Sequence, residues 1–331
     1  MTVESDELIA KIAGRRVVAS VSGGKDSAAL SLWLTEQGID HDRVFADTGW
    51  EHPATYEYLR GPLTAKLGPI AEVSGERQMV QLIRKKGMFP SRLRRFCTED
   101  LKVRPIMAYL AGLGVEVINA VGIRAAESES RSKLTEWDFA EHFDCDVWRP
   151  LIRWTEADVI SIHARHDLKP NPLYLKGASR VGCWPCIYAR KSEIALVAKL
   201  TPERIDQIRA LEAEVAAAAR ARAAAKGTTL EAAVYHAPSF FAGRSTRAGV
   251  EPIDSVVAWA TRGDAQELLF PDDSGCMRWG LCETSTTNDG MGEHAGAGNA
   301  GAVGDRSPGA ADGEQQEDGS MKPTEKEVTR G

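Results

Sequence analysis

A glycine-containing loop between two regular segments is the first feature that could do chemistry. Residues 16–21 predict a strand and residues 26–38 a helix, with two glycines and several hydroxyl side chains between them. Backbone N–H groups at a helix N-terminus lack helical partners, and the helix dipole favours an anion there. The spacing is not that of a Walker A loop. The loop therefore predicts phosphate binding by Ser20, Ser22, Gly23, Gly24, Lys25, Asp26 and Ser27.

Asp47 is the next candidate, because it ends the predicted strand 43–47. Parallel strands joined by helices place their loops, and usually their ligand, at the carboxyl ends of the strands. Asp47 is thus expected beside the glycine loop, in contact with the ligand bound there. Aspartate is also a common helix cap, so a cap for a helix beginning near Pro53 is the structural alternative.

A second anion-binding loop follows the predicted strand 115–121. Gly122 and Arg124 come directly after this strand, and Arg131 lies seven residues beyond Arg124. Arginine recognises phosphate or sulfate through two parallel hydrogen bonds and is always charged. We therefore expect Gly122 and Arg124 to form a second anion-recognition loop beside the first. Two unconnected surface arginines are the alternative.

Positive charge is dense between residues 84 and 95, where Phe89 is interleaved. The basic residues are Arg84, Lys85, Lys86, Arg92, Arg94 and Arg95. A solvated helix face with its loop would give this pattern, and so would a patch for an acidic substrate or a nucleic-acid backbone. The sequence alone leaves both interpretations open.

The chain has six cysteines, and two of them form a Cys-x-x-Cys turn at Cys183 and Cys186. Such a turn holds two soft ligands together, which suits zinc or an iron–sulfur cluster, and a redox disulfide is the third option. Further ligands would come from Cys97 and from a downstream cysteine. Cys276 and Cys282 are both candidates for that fourth position, and we assign it to Cys282.

Composition excludes a membrane-spanning protein and points to the cytoplasm. The 331 residues carry a formal net charge of −6, and no apolar run approaches the ~20 residues needed to cross a bilayer. We see no signal peptide, and in a reducing compartment the cysteines are expected to be ligands or thiols. Residues 284–331 hold nine acidic and four basic residues and no aromatic residue, a composition typical of disorder.

The elements needed to position these groups alternate between strand and helix. Strands are predicted at 16–21, 43–47, 70–73, 115–121 and 146–152, with helices between them. This order predicts an α/β fold with a doubly wound, mostly parallel, Rossmann-like sheet. The predicted division is a nucleotide-binding domain at 1–165, a helical region bearing the cysteines at 166–283, and a disordered tail at 284–331.

Residues 16–190 resemble the phosphoadenosine-phosphosulfate (PAPS) reductase family of the PP-loop superfamily. The matching segments are SVSGGKDS at 20–27, ADTGWEHP at 46–53, CTEDLKVRPI at 97–106, GIRAAESESR at 122–131, WRPLIRWTEADV at 148–159 and NPLYLKGASRVGCWPC at 171–186. The resemblance implies that the first loop and Asp47 of DTG hold an adenine nucleotide, and that the GxR loop with Gly122 and Arg124 holds its phosphate or sulfate groups. It also implies that basic residues near the GxR loop hold a substrate anion, here Lys102, Arg104 and Arg131.

In iron–sulfur members of this family, a cysteine pair before KVxP and a later CxxC hold a [4Fe–4S] cluster. The chain has Cys97-Thr98 in place of that pair, so one ligand must come from elsewhere. The predicted ligand set is Cys97, Cys183, Cys186 and Cys282, with zinc as the alternative metal. Family reductases also carry a C-terminal Glu-Cys-Gly-Leu/Ile-His motif. The chain does not have it, and it keeps the intact SGGKDS loop of ATP-splitting relatives.

These departures favour an enzyme that uses ATP and Mg²⁺ to adenylate a substrate, releases pyrophosphate and transfers sulfur, with Lys25, Asp26 and Cys276 as catalytic residues. The alternative is a reductase in which Cys276 or Cys282 attacks the sulfur of PAPS or adenylyl sulfate. A non-catalytic nucleotide-binding partner of a nucleic-acid modification or defence system is the third reading. Candidate partners are an adenine nucleotide, a sulfur donor or thioredoxin-like reductant, a nucleic-acid acceptor and a second copy of the chain.

Overall fold

The computed structural model describes residues 3–91, 94–227, 239–241, 245–246, 249–262 and 279. The described residues before Thr284 belong to one compact unit. Its strands are β1 (Arg16–Ser20), β2 (His41–Asp47), β3 (Ala71–Ser74), β4 (Val117–Val121), β5 (Trp137–Ala140) and β6 (Cys145–Trp148), with a short pair β7 (Ser245–Thr246) and β8 (Gly249–Val250).

The first six strands form one sheet in the order β3-β2-β1-β4-β6-β5. All neighbours are parallel except β5, which runs antiparallel to β6 at one edge. The central strand β1 is buried on both faces, because Val17, Val18 and Ala19 are all almost fully covered. Such a run of apolar residues is characteristic of a parallel sheet that helices cover on both sides. The carboxyl ends of β1, β2 and β4 meet at one edge of the sheet.

Thirteen helices lie in the described part of the chain. They are α1 (Val3–Ile12), α2 (Lys25–Glu36), α3 (Pro53–Tyr58), α4 (Thr64–Leu67), α5 (Met79–Lys86), α6 (Phe96–Thr98), α7 (Arg104–Gly112), α8 (Glu129–Ser132), α9 (Glu156–Arg165), α10 (Pro172–Leu175), α11 (Lys191–Leu200), α12 (Pro202–Ala225) and α13 (Ile253–Thr261). Helical turns with wider or tighter winding occupy Leu59–Leu63, Glu99–Val103 and Ala125–Glu127.

Two apolar clusters hold these layers together. One cluster joins the sheet to α2 and α9, with Leu30 and Ile162 fully buried. The other cluster lies around Trp50 and joins α5 to α11, α12 and α13. The long helix α12 contributes Ile208 and Leu211 to this second cluster, so its polar, alanine-rich sequence covers a buried apolar stripe. The second cluster supports the segment that carries Cys183.

The predicted doubly wound, mostly parallel α/β fold is confirmed. The edge strand β5 is not predicted by the sequence, because Asp138 and Phe139 are exposed there and the run has no clear alternation. The predicted strand 146–152 is wrong in length, since β6 ends at Trp148 and Pro150 cannot donate to a ladder. No helix in the described ranges is long and apolar enough to cross a membrane. The predicted tail at 284–331 lies outside the described residues, and the boundary at 165 stays a prediction.

Candidate functional site

The glycine loop is folded tightly by its own serines. The backbone N–H of Ser22 donates to Ser27 Oγ at 3.0 Å, and this hydroxyl donates to Gly24 O at 3.1 Å. Gly23 has a φ of +74°, which favours glycine. Ser20 Oγ donates to Asn119 Oδ1 at 3.2 Å, which ties β1 to β4. The loop is therefore a fixed turn at the N-terminus of α2.

Lys25 is buried at the start of α2, where its backbone N–H and its side chain contact the segment that contains Tyr174 and Ser179. Its backbone N–H donates to Tyr174 Oη at 3.1 Å, and its Nζ lies 5.0 Å from the centre of that ring. The same Nζ lies 3.5 Å from Glu156 Oε1 and 3.4 Å from Ser179 O. The ammonium group is thus held by several weak partners. It has no single short ion pair among the described residues, where its nearest carboxylate oxygen is the one on Glu156.

The predicted Gly-x-Arg loop is attached directly to the first turn of α2. Arg124 is 5% exposed and forms an ion pair with Asp26. A Cβ on Gly122 would lie 2.6 Å from Asp26 O, so only glycine allows this approach. The prediction that these two loops lie together describes their geometry correctly. Arg131 pairs instead with Glu127, away from this contact.

Asp47 holds the loop that follows β2. Its Oδ1 accepts the backbone N–H of Gly49 at 2.8 Å and the hydroxyl of Tyr56 at 2.6 Å. Burial, reinforced by this carboxylate, raises the pKa of Tyr56. The cap of helix α3 is His52, whose Nδ1 accepts the N–H of Ala54 at 3.0 Å. Asp47 therefore does not cap this helix, and it remains a candidate nucleotide ligand.

Glu51 is a buried residue that the sequence analysis did not single out. Its carboxylate accepts the Thr48 hydroxyl at 2.7 Å and the Tyr56 hydroxyl at 2.9 Å, and the residue is 3% exposed. Its Oε1 also lies 3.9 Å from Cys183 Sγ. Tyr56 touches both Asp47 and Glu51, so it links the loop after β2 to the thiol. The sequence signal that could have pointed to Glu51 is its position beside a tryptophan in the segment DTGWEHP.

Three predicted metal ligands, Cys97, Cys183 and Cys186, interact electrostatically with one another. Burial is the largest influence that raises the pKa of the Cys183 thiol, and burial likewise raises the pKa of Cys97. Lys102 lies near Cys183, and proximity to this sulfur is the main reason that the pKa of Lys102 is raised. The described residues contain no group of three or more Cys, His, Asp or Glu side chains arranged to hold a metal. Cys276 and Cys282 lie outside the described residues.

The turn that carries Cys183 is fastened to the loop after β2 by backbone and indole hydrogen bonds. Trp184 N–H donates to Trp50 O at 2.8 Å, and Trp50 Nε1–H donates to Pro185 O at 3.0 Å. Arg204 stacks on Trp50 with its guanidinium carbon 4.1 Å from the ring centre. These contacts fix the sulfur of Cys183 beside Glu51.

A buried histidine supports the loop Ser20–Ser27, and the sequence did not predict it either. We call this loop the phosphate loop, after the anion that is predicted to bind there. His163 Nε2 lies 2.9 Å from Lys25 O, and its Nδ1 lies 3.2 Å from Leu168 O. Burial lowers the pKa of this imidazole. The ring of Trp279 lies against both His163 and Tyr174, with centroids 5.2 and 5.9 Å away. A histidine on the apolar face of α9 has no distinctive sequence signal.

The three residues predicted to bind a substrate anion lie in three different settings. Lys102 faces the thiols, Arg131 is paired on α8, and Arg104 lines a separate pocket near β3. By contrast, the structure brings together the loop Ser20–Ser27, Gly122 and Arg124. It also places Asp47 and Cys183 at the two ends of one hydrogen-bonded chain of side chains.

The phosphoadenosine phosphosulfate reductase domain model matches residues 16–189. Because the match covers more than half of the chain, the protein belongs to the PAPS reductase family, and the fold is that of the PP-loop superfamily. This agrees with the resemblance drawn from the motifs.

Among similar proteins, an uncharacterized protein of Escherichia phage 186 is 35% identical over 61% of this chain and 76% of its own length. An uncharacterized protein of Methanocaldococcus jannaschii is 31% identical over 56% of this chain, which spans only 44% of that relative. A phosphoadenosine 5′-phosphosulfate reductase of Alkalilimnicola ehrlichii is 30% identical over 53% of this chain and 71% of its own length. A PAPS reductase structure from Candida auris, in a phosphate complex, aligns over 55% of this chain and 87% of that one, with 20% identity and a TM-score of 0.44.

Proposed function

We propose that the protein is an enzyme that binds an adenine nucleotide at the phosphate loop and carries out sulfur chemistry at the neighbouring thiols. One observation carries this proposal: the segment from α10 to Cys183 contacts the phosphate loop. Tyr174 Oη accepts the Lys25 N–H, and Val181 O lies 3.4 Å from the Cβ position of Gly24. Two residues later, Cys183 reaches Glu51. A phosphate held at the loop would therefore face the thiol-bearing turn.

The nucleotide would be bound by the loop Ser22–Ser27 through backbone amides other than those of Ser22 and Lys25, which already donate to Ser27 Oγ and Tyr174 Oη, while Arg124 and Lys25 supply positive charge. Asp26 keeps the Arg124 guanidinium in place, which makes Asp26 a positioning residue. Lys25 Nζ has only contacts of 3.4 Å or more, so moving it to a phosphate breaks no short bond. Asp26 and Asp47 offer the oxygen ligands that Mg²⁺ prefers.

The thiols Cys97, Cys183 and Cys186 offer the soft donors that suit an iron–sulfur cluster or zinc. The described residues do not yet group these thiols as a metal site, so holding such a group would require Cys97, Cys183 and Cys186 to converge with a fourth ligand from Cys276 or Cys282. A bound cluster would supply electrons or hold sulfide. Around it, the Lys102 ammonium group would keep a positive charge beside the Cys183 sulfur, and Glu51 with Thr48 would fix the position of that sulfur.

Adenylation of a substrate by ATP, coupled to sulfur transfer, is the first candidate reaction. The intact loop with Lys25 and the presence of Thr98 in place of a second cysteine support it. Catalysis would rest on positioning and on stabilising charge at the leaving pyrophosphate by Lys25 and the loop amides. A sulfur donor and an acceptor, for which a nucleic acid is the candidate, complete the reaction.

Reduction of a sulfonucleotide is the second candidate, and the relatives named as adenosine 5′-phosphosulfate or PAPS reductases support it. A thiolate, Cys276 or Cys282, would attack the sulfur of the substrate, and the nucleotide would leave with the bridging oxygen. A second thiol would then displace sulfite and leave a disulfide. A thioredoxin-like dithiol would reduce that disulfide.

The two reactions differ in their products, so one preparation distinguishes them. Protein purified without oxygen is incubated either with Mg-ATP, with pyrophosphate as the readout, or with PAPS or adenylyl sulfate and dithiol, with sulfite as the readout. Lys25→Ala should lower product formation on the order of 100-fold, whereas Lys66→Ala, an exposed lysine on α4, should not change it. Bound nucleotide without either product in the wild type would make the protein a non-catalytic binder.

A further inference from the structure

A pocket of about 430 Å³ lies at the carboxyl end of β3, between α5 and α7. We call it the basic pocket, and the charged residues that line it are Arg77, Lys85, Lys86, Arg104, Glu76 and Asp100. Its lining includes no residue of the phosphate loop, all of whose residues are described. In the sheet, β3 is two strands from β1. Neighbouring strands are about 4.8 Å apart, so the end of β3 lies about 10 Å to the side of the end of β1, where the phosphate loop begins.

The charges of the basic pocket do not cancel. Four of the lining side chains are cationic and two are acidic. Asp100 pairs with both Lys86, at 3.4 Å, and Arg104, at 3.2 Å, and Arg104 also pairs with Glu99 at 3.3 Å. Arg77 pairs with its chain neighbour Glu76, whose side chain is 85% exposed. Lys85 is exposed and has no ion pair or hydrogen bond in the described part of the chain. With Glu99 counted, four cations face three carboxylates, so an excess of one positive charge remains.

Helix stability accounts for only part of this arrangement. Lys85 and Lys86 lie in the last turn of α5, where cations interact favourably with the helix dipole. That argument does not extend to Arg77, which precedes α5, or to Arg104, which begins α7. Three separate elements thus direct cations toward one cavity. Convergence of this kind is what a binding site needs and what helix capping does not require.

The interior of the basic pocket is apolar and rigid. Leu82, Pro105 and Ala108 form apolar parts of its lining. The loop after β3 is packed closely, since a Cβ on Gly75 would lie 2.6 Å from Asp100 O. The volume lies within the range of roughly 300–1,000 Å³ that is usual for small-ligand sites. A cationic rim over an apolar floor fits a ligand with an anionic end and a flat or ring-shaped apolar body.

We propose that the basic pocket binds a nucleotide unit, with its phosphate at the cationic rim and its sugar or base against the apolar floor. The unit could come from a free nucleotide or from a single nucleic-acid strand, and both share this chemistry. In the second case, a strand held here would lie beside the nucleotide on the phosphate loop, where an acceptor is needed. This last step rests on the proposed function, whereas binding itself does not.

The test measures binding of two probes to the full-length protein. A fluorescein-labelled dT12 oligonucleotide, followed by fluorescence anisotropy over a series of salt concentrations, represents the strand. Adenosine 5′-monophosphate as competitor represents the free nucleotide. Phosphate contacts make affinity fall with salt, and the loss of one contact reduces the slope of log affinity against log salt by about one.

Lys85→Ala is the decisive variant because Lys85 has no partner to lose among the residues that the structure describes. We expect it to weaken dT12 binding about fivefold and to reduce the salt slope by about one. The matched control is Lys66→Ala, which removes the same charge from an exposed site on α4 and should leave both quantities unchanged. Lys25→Ala should leave dT12 affinity within about twofold of wild type, because the phosphate loop is a separate site.

Each outcome has a definite meaning. Displacement of dT12 by adenosine 5′-monophosphate in the wild type, lost in Lys85→Ala, would support the pocket as a site for a free nucleotide. Lys85-dependent binding of dT12 that the mononucleotide does not displace would support a strand site. If Lys85→Ala and Lys66→Ala behave alike with both probes, the proposal is wrong. Pyrophosphate or sulfite release is read separately, so a failure here does not count against the proposed function.

Discussion

The phosphate loop and the basic pocket both present cations to an anion, but they hold them in opposite ways. Lys25 and Arg124 are 6% and 5% exposed, and each contacts a carboxylate. In the basic pocket, the Arg104 side chain is 66% exposed and Lys85 has no partner among the described residues. The first set is part of the folded core, whereas the second set could be removed without leaving a buried charge. Substitutions in the phosphate loop should therefore lower stability, whereas substitutions in the basic pocket should change binding with little effect on stability.

The largest effect should come from breaking the buried ion pair in the phosphate loop. Asp26→Leu leaves the Arg124 guanidinium buried without its carboxylate, which costs about 3–5 kcal/mol of unfolding free energy in comparable cases. Urea denaturation would measure this loss. The double variant with Arg124→Met should recover much of it, because no buried charge remains. Glu76→Ala, the matching change at the rim of the basic pocket, should stay within about 0.5 kcal/mol.

A similar loss of unfolding free energy in Asp26→Leu and Glu76→Ala would contradict the contrast between a buried phosphate loop and an exposed basic pocket. It would mean that Arg124 finds another partner or that water reaches it in the variant.

The contact between the loop after β4 and the first turn of α2 should give the second largest effect. In Gly122→Ala, the new methyl group would lie 2.6 Å from Asp26 O, so the backbone must shift. Overpacking of this kind costs about 1–3 kcal/mol, and it should also weaken nucleotide binding by moving Arg124. Calorimetry with ATP and urea denaturation would measure both. Gly112→Ala in α7 is the control, since nothing lies within 4 Å of that position, and it should be neutral or up to about 1 kcal/mol stabilising.

Much of the phosphate-loop region could be predicted from the sequence, because its chemistry is local. A strand, two glycines and a helix start follow one another in the chain, and parallel topology brings Asp47 and Gly122 to the same edge. The pairing of Asp26 with Arg124 could not be predicted, since it depends on the exact approach of α2 to the loop after β4. Glu51 and His163 were missed for the same reason: their partners, Cys183 and Lys25, lie more than 100 residues away in the chain.

The basic pocket, by contrast, could not be predicted from the sequence, although its charged residues are visible there. The dense charge at 84–95 is visible in the chain, but its meaning depends on which residues converge. Arg84 pairs with Glu214 on α12, while Lys85 and Lys86 line the basic pocket with Arg77 and Arg104. Adjacent residues on a helix point in different directions, so the run divides between a structural pair and a candidate binding site. Only the tertiary structure makes this division.

A smaller effect is expected from the pH dependence of the phosphate loop. Burial holds the pKa of His163 below its unfolded value of about 6.5. The unfolded chain therefore binds more protons just below pH 6.5, and stability falls as the pH drops from about 6.5 toward the folded pKa. His163→Gln keeps a donor toward Lys25 O but does not titrate, so it should show a flatter profile in urea denaturation between pH 7 and 5. His41 and His52 have pKa values lowered in the same direction and remain in both proteins, so only the difference between the profiles counts. Parallel profiles would show that His163 does not titrate differently on folding.

The smallest change in stability, but an informative change in binding, is expected from Asp100→Asn in the basic pocket. This variant removes the carboxylate that Lys86 and Arg104 share, so the excess positive charge of the pocket rises by one. Exposed ion pairs contribute only about 0–1 kcal/mol to stability, while dT12 should bind about threefold more tightly and with a steeper salt dependence. Glu36→Gln is the matched control, because Glu36 also serves two partners, Arg165 and His166, on another face. Equal dT12 affinities for the two variants would show that Asp100 does not oppose an anion in the basic pocket, and that its role is to hold Lys86 and Arg104 in place.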